Sequence, residues 1–412
     1  MGTLREINRR FDVPLAAAAL LLSAAGLAAV YSTTAGGLFW KQLLWVGMGW
    51  AAFGLALAVP YRLVVKYSLL LQLAVVVLLA VLAARALGRG GAAHRWLTLG
   101  PLTFQPSEVA KVTTVLTLAL VLDFFRRVEG FLSYVPAVLA AAAPALLVAV
   151  EPDLGTAAIF IPLLFACLYW AEVPFTHVFL LFSPLVAVAV SFKLAAFLFF
   201  LGAVAATAFF TRAAWWQRAV LVATNVVAGV ATPALWGLLK EYQRQRILSF
   251  LSPTADPRGA GYSIIQAKIA LGSGRLWGKG FLEGSQVHLK FLPAAHTDFI
   301  LASWGEEFGF VGCAAVVALF AVLVGRTFLI AYRAADRRGA VLAFGLGVLF
   351  LTQFLVNAAM AVGLIPVVGV PLPFVSYGGS ATVMSFAALG LIMNVKLRRE
   401  RVAEEQKLRG YY

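Results

Sequence analysis

The chain has 412 residues, is 62% hydrophobic and only 12% charged, and carries a formal charge of +15, whereas an ordinary soluble domain is about 25% charged. A chain this apolar cannot cover its surface in water, so lipid must solvate much of it, and a soluble enzyme is excluded. Nucleic-acid binding is excluded too, because no soluble basic domain exists to hold it; the excess of lysine and arginine suits loops that anchor helices beside anionic lipid.

A basic N-terminal stretch containing Arg5, Arg9 and Arg10 leads into a long apolar run without a clear small-residue cleavage site, which reads as an uncleaved first span. About twenty apolar residues cross a bilayer. Stretches 13–31, 39–59, 67–84, 107–122, 133–150, 154–171, 219–238, 298–325, 340–365 and 374–395 qualify. Residues 172–218 are also apolar but are broken by Lys193 and Arg212, leaving room for two short spans near 175–192 and 194–210. The expected fold is an all-α polytopic membrane protein of about ten helices, a single transmembrane domain over 1–412, with that extra hairpin possible. Cys167 and Cys313 lie inside apolar runs and read as small hydrophobes.

Basic residues in short connections set the orientation. Arg62 and Lys66, Arg126 and Arg127, Arg333, Arg337 and Arg338, and the tail 396–412 fall on one side, the cytoplasm, if both termini lie there. The other side then holds 85–106, the turn at Glu151–Asp153, the long loop 239–297 and 366–373.

Ionisable groups at membrane depth are costly and are functional candidates. Glu108 and Lys111 stand three apart at the start of the fourth span, behind Gln105-Pro106-Ser107, and share a helix face. They form either a structural ion pair or a polar contact facing a cavity. In Glu151–Thr156 the proline and glycine explain a tight turn. Asp153 is there either as a helix cap or as part of a site wall. The long loop contains Tyr242-Gln243-Arg244-Gln245-Arg246, whose guanidiniums suit phosphate. It continues with Asp256-Pro257-Arg258-Gly259-Ala260-Gly261-Tyr262, and Asp256 is the only acid from Tyr242 through Lys279. A lone carboxylate among cations is either a salt-bridge partner or a general base beside an anionic substrate. Glycines at 272, 274, 278 and 280 would let backbone approach a ligand. His296, Asp298, Glu306 and Glu307 open the next span; two ligands do not make a zinc site, though oxygen ligation of a divalent ion stays open. Ser376-Tyr377-Gly378-Gly379-Ser380 forms a turn before the last span.

Taken in order, these segments resemble the SEDS family (shape, elongation, division and sporulation), the membrane polymerases of bacterial cell-wall glycan. The matching stretches are Arg95-Trp96, Gln105–Lys111, Glu151–Thr156, Tyr242–Arg246, Asp256–Tyr262, Leu292–Phe299, Glu306-Glu307 and Pro371–Gly379. Ile264–Ala270 and Gly369–Pro373 resemble the elongation branch rather than the division branch. The family core has ten spans, so the apolar stretch at 172–218 is longer than the resemblance leads one to expect.

The resemblance implies a glycosyltransferase that polymerises lipid II, the undecaprenyl-pyrophosphate-linked disaccharide-pentapeptide, into β-1,4 glycan by inversion, with Asp256 as the base. Arg244, Arg246, Arg258 and Lys111 would bind the pyrophosphate, with Mg²⁺ or Mn²⁺ as a candidate partner in that role. Glu108, Lys268, His296, Asp298 and Ser376 complete the expected substrate-binding set. Asp153, Glu306, Gly378 and Gly379 form its frame. A class B penicillin-binding protein and other elongation-complex membrane proteins are the implied partners. A lipid II flippase and a non-catalytic transpeptidase scaffold are the rival readings.

Overall fold

The computed structural model describes residues 11–88, 95–99, 102–124, 131–210, 214–238, 244, 262–289, 291–400 and 402. Helix α1 (Val13–Thr34) starts where the Asp12 carboxylate accepts from the Leu15 N–H, with Pro14 in its first turn, and stops at Ala35, which takes a left-handed conformation. Then come α2 (Phe39–Ala58), the short α3 (Tyr61–Lys66) and α4 (Ser68–Gly88). Strands β1 (Leu97–Leu99) and β2 (Leu102–Phe104) pair antiparallel, Leu97 opposite Phe104. Helices α5 (Pro106–Phe124), α6 (Val135–Val150) and α7 (Leu154–Trp170) follow, with a 3₁₀ turn at Phe131–Tyr134.

The apolar stretch after α7 folds as α8 (Phe175–Val190) and α9 (Leu194–Phe209), so the suspected hairpin is present. Helix α10 (Trp215–Val230) ends before the predicted limit of residue 238. The chain breaks at Ala231, and Thr232-Pro233 opens the short α11 (Thr232–Leu238), because proline has no N–H to continue the preceding ladder. Helices α12 (Tyr262–Ser273) and α13 (Ser285–His288) lie in the long loop. They are followed by α14 (Ile300–Tyr332), α15 (Arg337–Ala361) and α16 (Gly379–Leu397).

Helices α1, α4, α14, α15 and α16 are each long and apolar enough to cross a membrane, while α6 to α9 are shorter apolar helices. The outward side chains fit lipid: Phe199, Phe210 and Trp215 are all at least 80% exposed, which water would penalise heavily. At the centre stands α5, buried on nearly every side against α4, α6, α7, α15 and α16. Its threonines pair internally: Gln72 of α4 donates to the Thr114 hydroxyl at 3.1 Å and accepts from Thr113. Helices α8 to α10 form a side layer around Leu180, Val204 and Leu221, pinned by an Asn225–Ser183 hydrogen bond of 2.9 Å. This layer meets the body through α7.

At the end that carries Asp12 and Arg398, acids collect the basic residues of several connections. Asp12 pairs with Arg326 at 2.7 Å and Lys396 at 2.9 Å, Asp336 with Arg62 at 2.8 Å, and Asp123 with Arg338 at 2.6 Å. Among the described residues, Arg62, Arg326, Arg338 and Lys396, which were grouped from sequence, therefore share one end of the bundle.

Candidate active site

At the opposite end, the Glu151–Asp153 turn, residues 291–299 and residues 366–378 converge. Asp153 caps α7 through the N–H and hydroxyl of Thr156, and also accepts from Gln105 at 3.4 Å. Arg95 reaches the same turn. Its guanidinium donates to the carbonyls of Glu151 and Pro152, and it lies 3.8 Å from the Asp153 carboxylate. Asp153 is thus a helix cap that also holds Gln105 and Arg95. Gly155 fits because a Cβ there would stand 2.1 Å from the Val368 carbonyl, so α7 abuts the 366–378 segment backbone to backbone.

Glu151 is only 1% exposed, and Oε1 of its carboxyl has no hydrogen-bond partner. Burial, reinforced by the neighbouring Asp153 charge, pushes this group up to about 8 against the opposing pull of Arg95.

The 366–378 segment is stapled to 291–299. Ser376 donates to the Thr297 carbonyl at 2.7 Å and accepts from the Leu372 N–H, while the Tyr377 N–H donates to the His296 carbonyl. Asn357 of α15 donates to the carbonyls of Asp298 and Val370. Burial makes the His296 imidazole harder to protonate and the Tyr377 phenol harder to ionise. The turn also hangs on α2: Gln42 donates to Thr382 and the Ser376 carbonyl and accepts from the Gly378 N–H. A Cβ on Gly379 would meet the Trp45 ring at 2.3 Å, so glycine is required there. Gly378 has room, its nearest neighbour being Ala381 at 3.6 Å. The hairpin is tied in as well, since the Gln105 N–H donates to Ser380 and Ser380 to the Thr103 carbonyl.

Glu306 is the hub of the long loop. Its buried carboxylate takes Lys279 at 2.6 Å, the Ser285 hydroxyl at 3.1 Å and the Gln286 N–H at 3.0 Å. Its neighbour Glu307 accepts from Ser32 of α1. Helix α14 breaks at Gly309 (φ 65, ψ −162), and residues 275–280 enter the break, with Phe310 and Val311 donating to the carbonyls of Arg275 and Leu276. The loop glycines at 274 and 278 therefore approach the protein's own helix rather than a ligand. Added Cβ atoms would stand 1.9 Å from the Gly305 carbonyl and 2.0 Å from the Glu307 carbonyl.

Deeper in, Glu108 and Lys111 form the expected pair at 2.7 Å, both buried, beside a 10 Å³ void lined by Gln353 and Ser385. Lys268 on α12 is exposed and reaches over Gly363 at the end of α15. Arg244 caps α11, donating to the carbonyls of Trp236 and Gly237. Asp256, Arg246 and Arg258 lie outside the described residues. Among the described residues, no three His, Cys, Asp or Glu side chains gather to hold a metal.

Gln42, Trp45, Asn357 and Ser285 were missed as site residues. The amides carried a signal, since Gln42 and Asn357 are uncharged polar groups inside apolar spans.

The family model of the FTSW_RODA_SPOVE cell cycle proteins matches residues 14–201 and 182–401. The chain belongs to the FtsW/RodA/SpoVE family. The two family matches overlap in α8 and α9, the added hairpin. The chain is 39% identical over 320 residues to the peptidoglycan glycosyltransferase MrdB of Escherichia coli K12, covering 77% of this chain and 74% of MrdB. A chain solved in a peptidoglycan synthase complex that coordinates polymerization and crosslinking superposes with a TM-score of 0.69 at 26% identity, covering 95% of this chain and 98% of that one. The rod shape determining protein RodA of Thermus thermophilus superposes at 0.63 and 24% identity, covering 94% and 97%. This FtsW/RodA/SpoVE member is therefore a polytopic helical membrane protein with the fold of RodA.

Proposed function

We propose that this chain polymerises lipid II into β-1,4 glycan strands during cell elongation. It is a peptidoglycan glycosyltransferase of the RodA type and a multi-pass inner-membrane protein. The observation that carries the reading is its 39% identity to MrdB over most of both chains. Three turns and the hub of the long loop meeting at one end of the bundle supports it, since a polymerase needs its reactive groups on one side. We place that end outside the membrane and both termini in the cytoplasm.

In the proposed step, the acceptor's 4-hydroxyl oxygen attacks the anomeric carbon of the donor from the face opposite the leaving group. The new C–O bond forms as the bond to pyrophosphate breaks, and the α-linked donor becomes a β-linked product. Asp256 takes the hydroxyl proton. Pyrophosphate leaves without an acid catalyst, unlike the leaving group of a glycosidase, which has a second carboxyl to protonate it. Arg246, Arg258 and a divalent cation would stabilise its charge. Arg244 can share this role only by releasing the α11 carbonyls, and Lys111 only from behind, because it is buried against Glu108. A class B penicillin-binding protein is the proposed partner for crosslinking, alongside other membrane proteins of the elongation complex.

The flippase reading is weaker. It needs a polar path through the membrane, and the void at Glu108 and Lys111 is 10 Å³, room for about one water. The test is glycan polymerisation by purified protein with lipid II, the partner transpeptidase and Mg²⁺ or Mn²⁺. Wild type should make long strands, and well-folded Asp256→Ala should lose at least about 10²-fold. Equal activity in both removes Asp256 as base, and no activity in either returns the flippase and scaffold readings.

A further inference from the structure

Where the α7–α8 and α14–α15 connections meet, at the end that carries Asp12 and Arg398, they line an open cavity of 820 Å³. Its walls come from the last turns of α7 and α14 and the first turns of α8 and α15. That places it at the level of the lipid headgroups and the first carbons of their chains. Part of the wall, Phe175 and Val178, belongs to the added hairpin. Aromatic surface faces the opening: Tyr169, Phe175 and Tyr332 are 65%, 72% and 78% exposed.

The polar groups of this cavity are unevenly satisfied. Asp336 is fully engaged, pairing with Arg62, accepting from Tyr61 and capping α15 at Gly339. Arg337 gives one Nη to the Ala171 carbonyl, but its Nε is buried without a partner. An orphaned buried donor on a cation is costly. Glu172 stands exposed in the same cavity, in a left-handed conformation at the end of α7. A cation and an anion thus line one cavity without pairing with each other. One ligand answers both if it carries an anionic group and a cationic group a few ångströms apart, with apolar tails for the aromatic wall.

We propose that this cavity binds a zwitterionic phospholipid with a primary-amine headgroup. The phosphodiester accepts from Arg337, where a guanidinium suits two phosphate oxygens. The ammonium donates to Glu172. The acyl chains lie over Phe165, Phe175 and Tyr332. A purely anionic headgroup leaves Glu172 facing like charge, and a quaternary amine gives that carboxylate no N–H. The site lies at the opposite end from the candidate active site and does not depend on the polymerase reading.

Native mass spectrometry of the purified full chain tests this, with titrations of dioleoyl-phosphatidylethanolamine, -phosphatidylglycerol and -phosphatidylcholine, and with inorganic phosphate as competitor. The expected result is one phosphatidylethanolamine retained about tenfold more tightly than either other lipid. Arg337→Gln should weaken all three. Glu172→Gln should reduce phosphatidylethanolamine to the level of phosphatidylcholine and leave the latter unchanged. Glu172 is exposed, so this variant decides the matter even where Arg337→Gln does not fold. Equal retention of the three lipids by wild type overturns the proposal as annular lipid only. Preference for phosphatidylglycerol or phosphatidylcholine overturns the headgroup assignment, and displacement by millimolar inorganic phosphate overturns the lipid.

Discussion

Glu151 and Asp153 share one turn and have opposite surroundings. Asp153 collects the donors of Thr156 and Gln105; Oε1 of Glu151 collects none and the carboxyl is raised to about 8. Because the folded value lies above the unfolded one of 4.5, the native state binds the extra proton between them. The stability from this group is complete below about pH 4.5 and is lost as pH rises through about 8. Glu151→Gln keeps the shape without the charge. It should leave the thermal midpoint nearly unchanged at pH 5 and raise it at pH 9 relative to wild type, as read by tryptophan fluorescence. An identical pH slope in both proteins would show that Glu151 titrates normally. At Glu306 the asymmetry runs the other way. Lys279→Ala strips the cation from a buried carboxylate and should cost about 3 kcal/mol. Glu306→Gln keeps an acceptor for Ser285 and Gln286 and should cost about 1–2 kcal/mol. Denaturant unfolding orders the two, and the reverse order would mean that Lys279 is not what neutralises Glu306.

Among the elements, the spans were legible wherever an apolar run was long enough to need no partner. The α8–α9 pair could be seen because Lys193 marks the break between two runs. What stayed hidden was non-local. Gly309 looks like any glycine in an apolar helix, and its positive φ follows from residues 275–280 entering from a distant part of the chain. The β1–β2 hairpin has three residues per strand, too few to show alternation, and it is held by Ser380 far along the chain. Of the loop glycines expected to approach a ligand, Gly274 and Gly278 approach α14 instead, and nothing crowds Gly272. At Gly278, φ is +84 and the Glu307 carbonyl fills the space of a Cβ. Gly278→Ala should therefore cost at least about 1–2 kcal/mol in strain and detach residues 275–280 from α14, seen as faster hydrogen exchange at Phe310 and Val311. Unchanged exchange there would mean that the strand-like contacts do not depend on this approach.

For the whole molecule, Asp12, Arg326 and Lys396 tie the start of α1, α14 and the end of α16 together at one end. The α8–α9 pair enters and leaves on the same side, so it adds a layer without inverting anything downstream. In the proposed orientation, charge chooses which end faces the cytoplasm: Arg62, Arg326, Arg338 and Lys396 gather at one end, and lysine and arginine in short connections are retained inside. The long loop is basic too, but loops of that length cross regardless of charge, so it does not cancel the signal. Single cysteines at Glu283 and Arg399, placed in a background with Cys167 and Cys313 replaced by alanine, separate the ends. Glu283 is exposed in the loop between α12 and α13, and Arg399 follows α16. A membrane-impermeant maleimide should label the Glu283 position in intact spheroplasts and the Arg399 position only after permeabilisation. The opposite pattern would invert the bundle and put the converging turns on the cytoplasmic face, where the same geometry would have to serve a substrate that has not yet crossed the membrane.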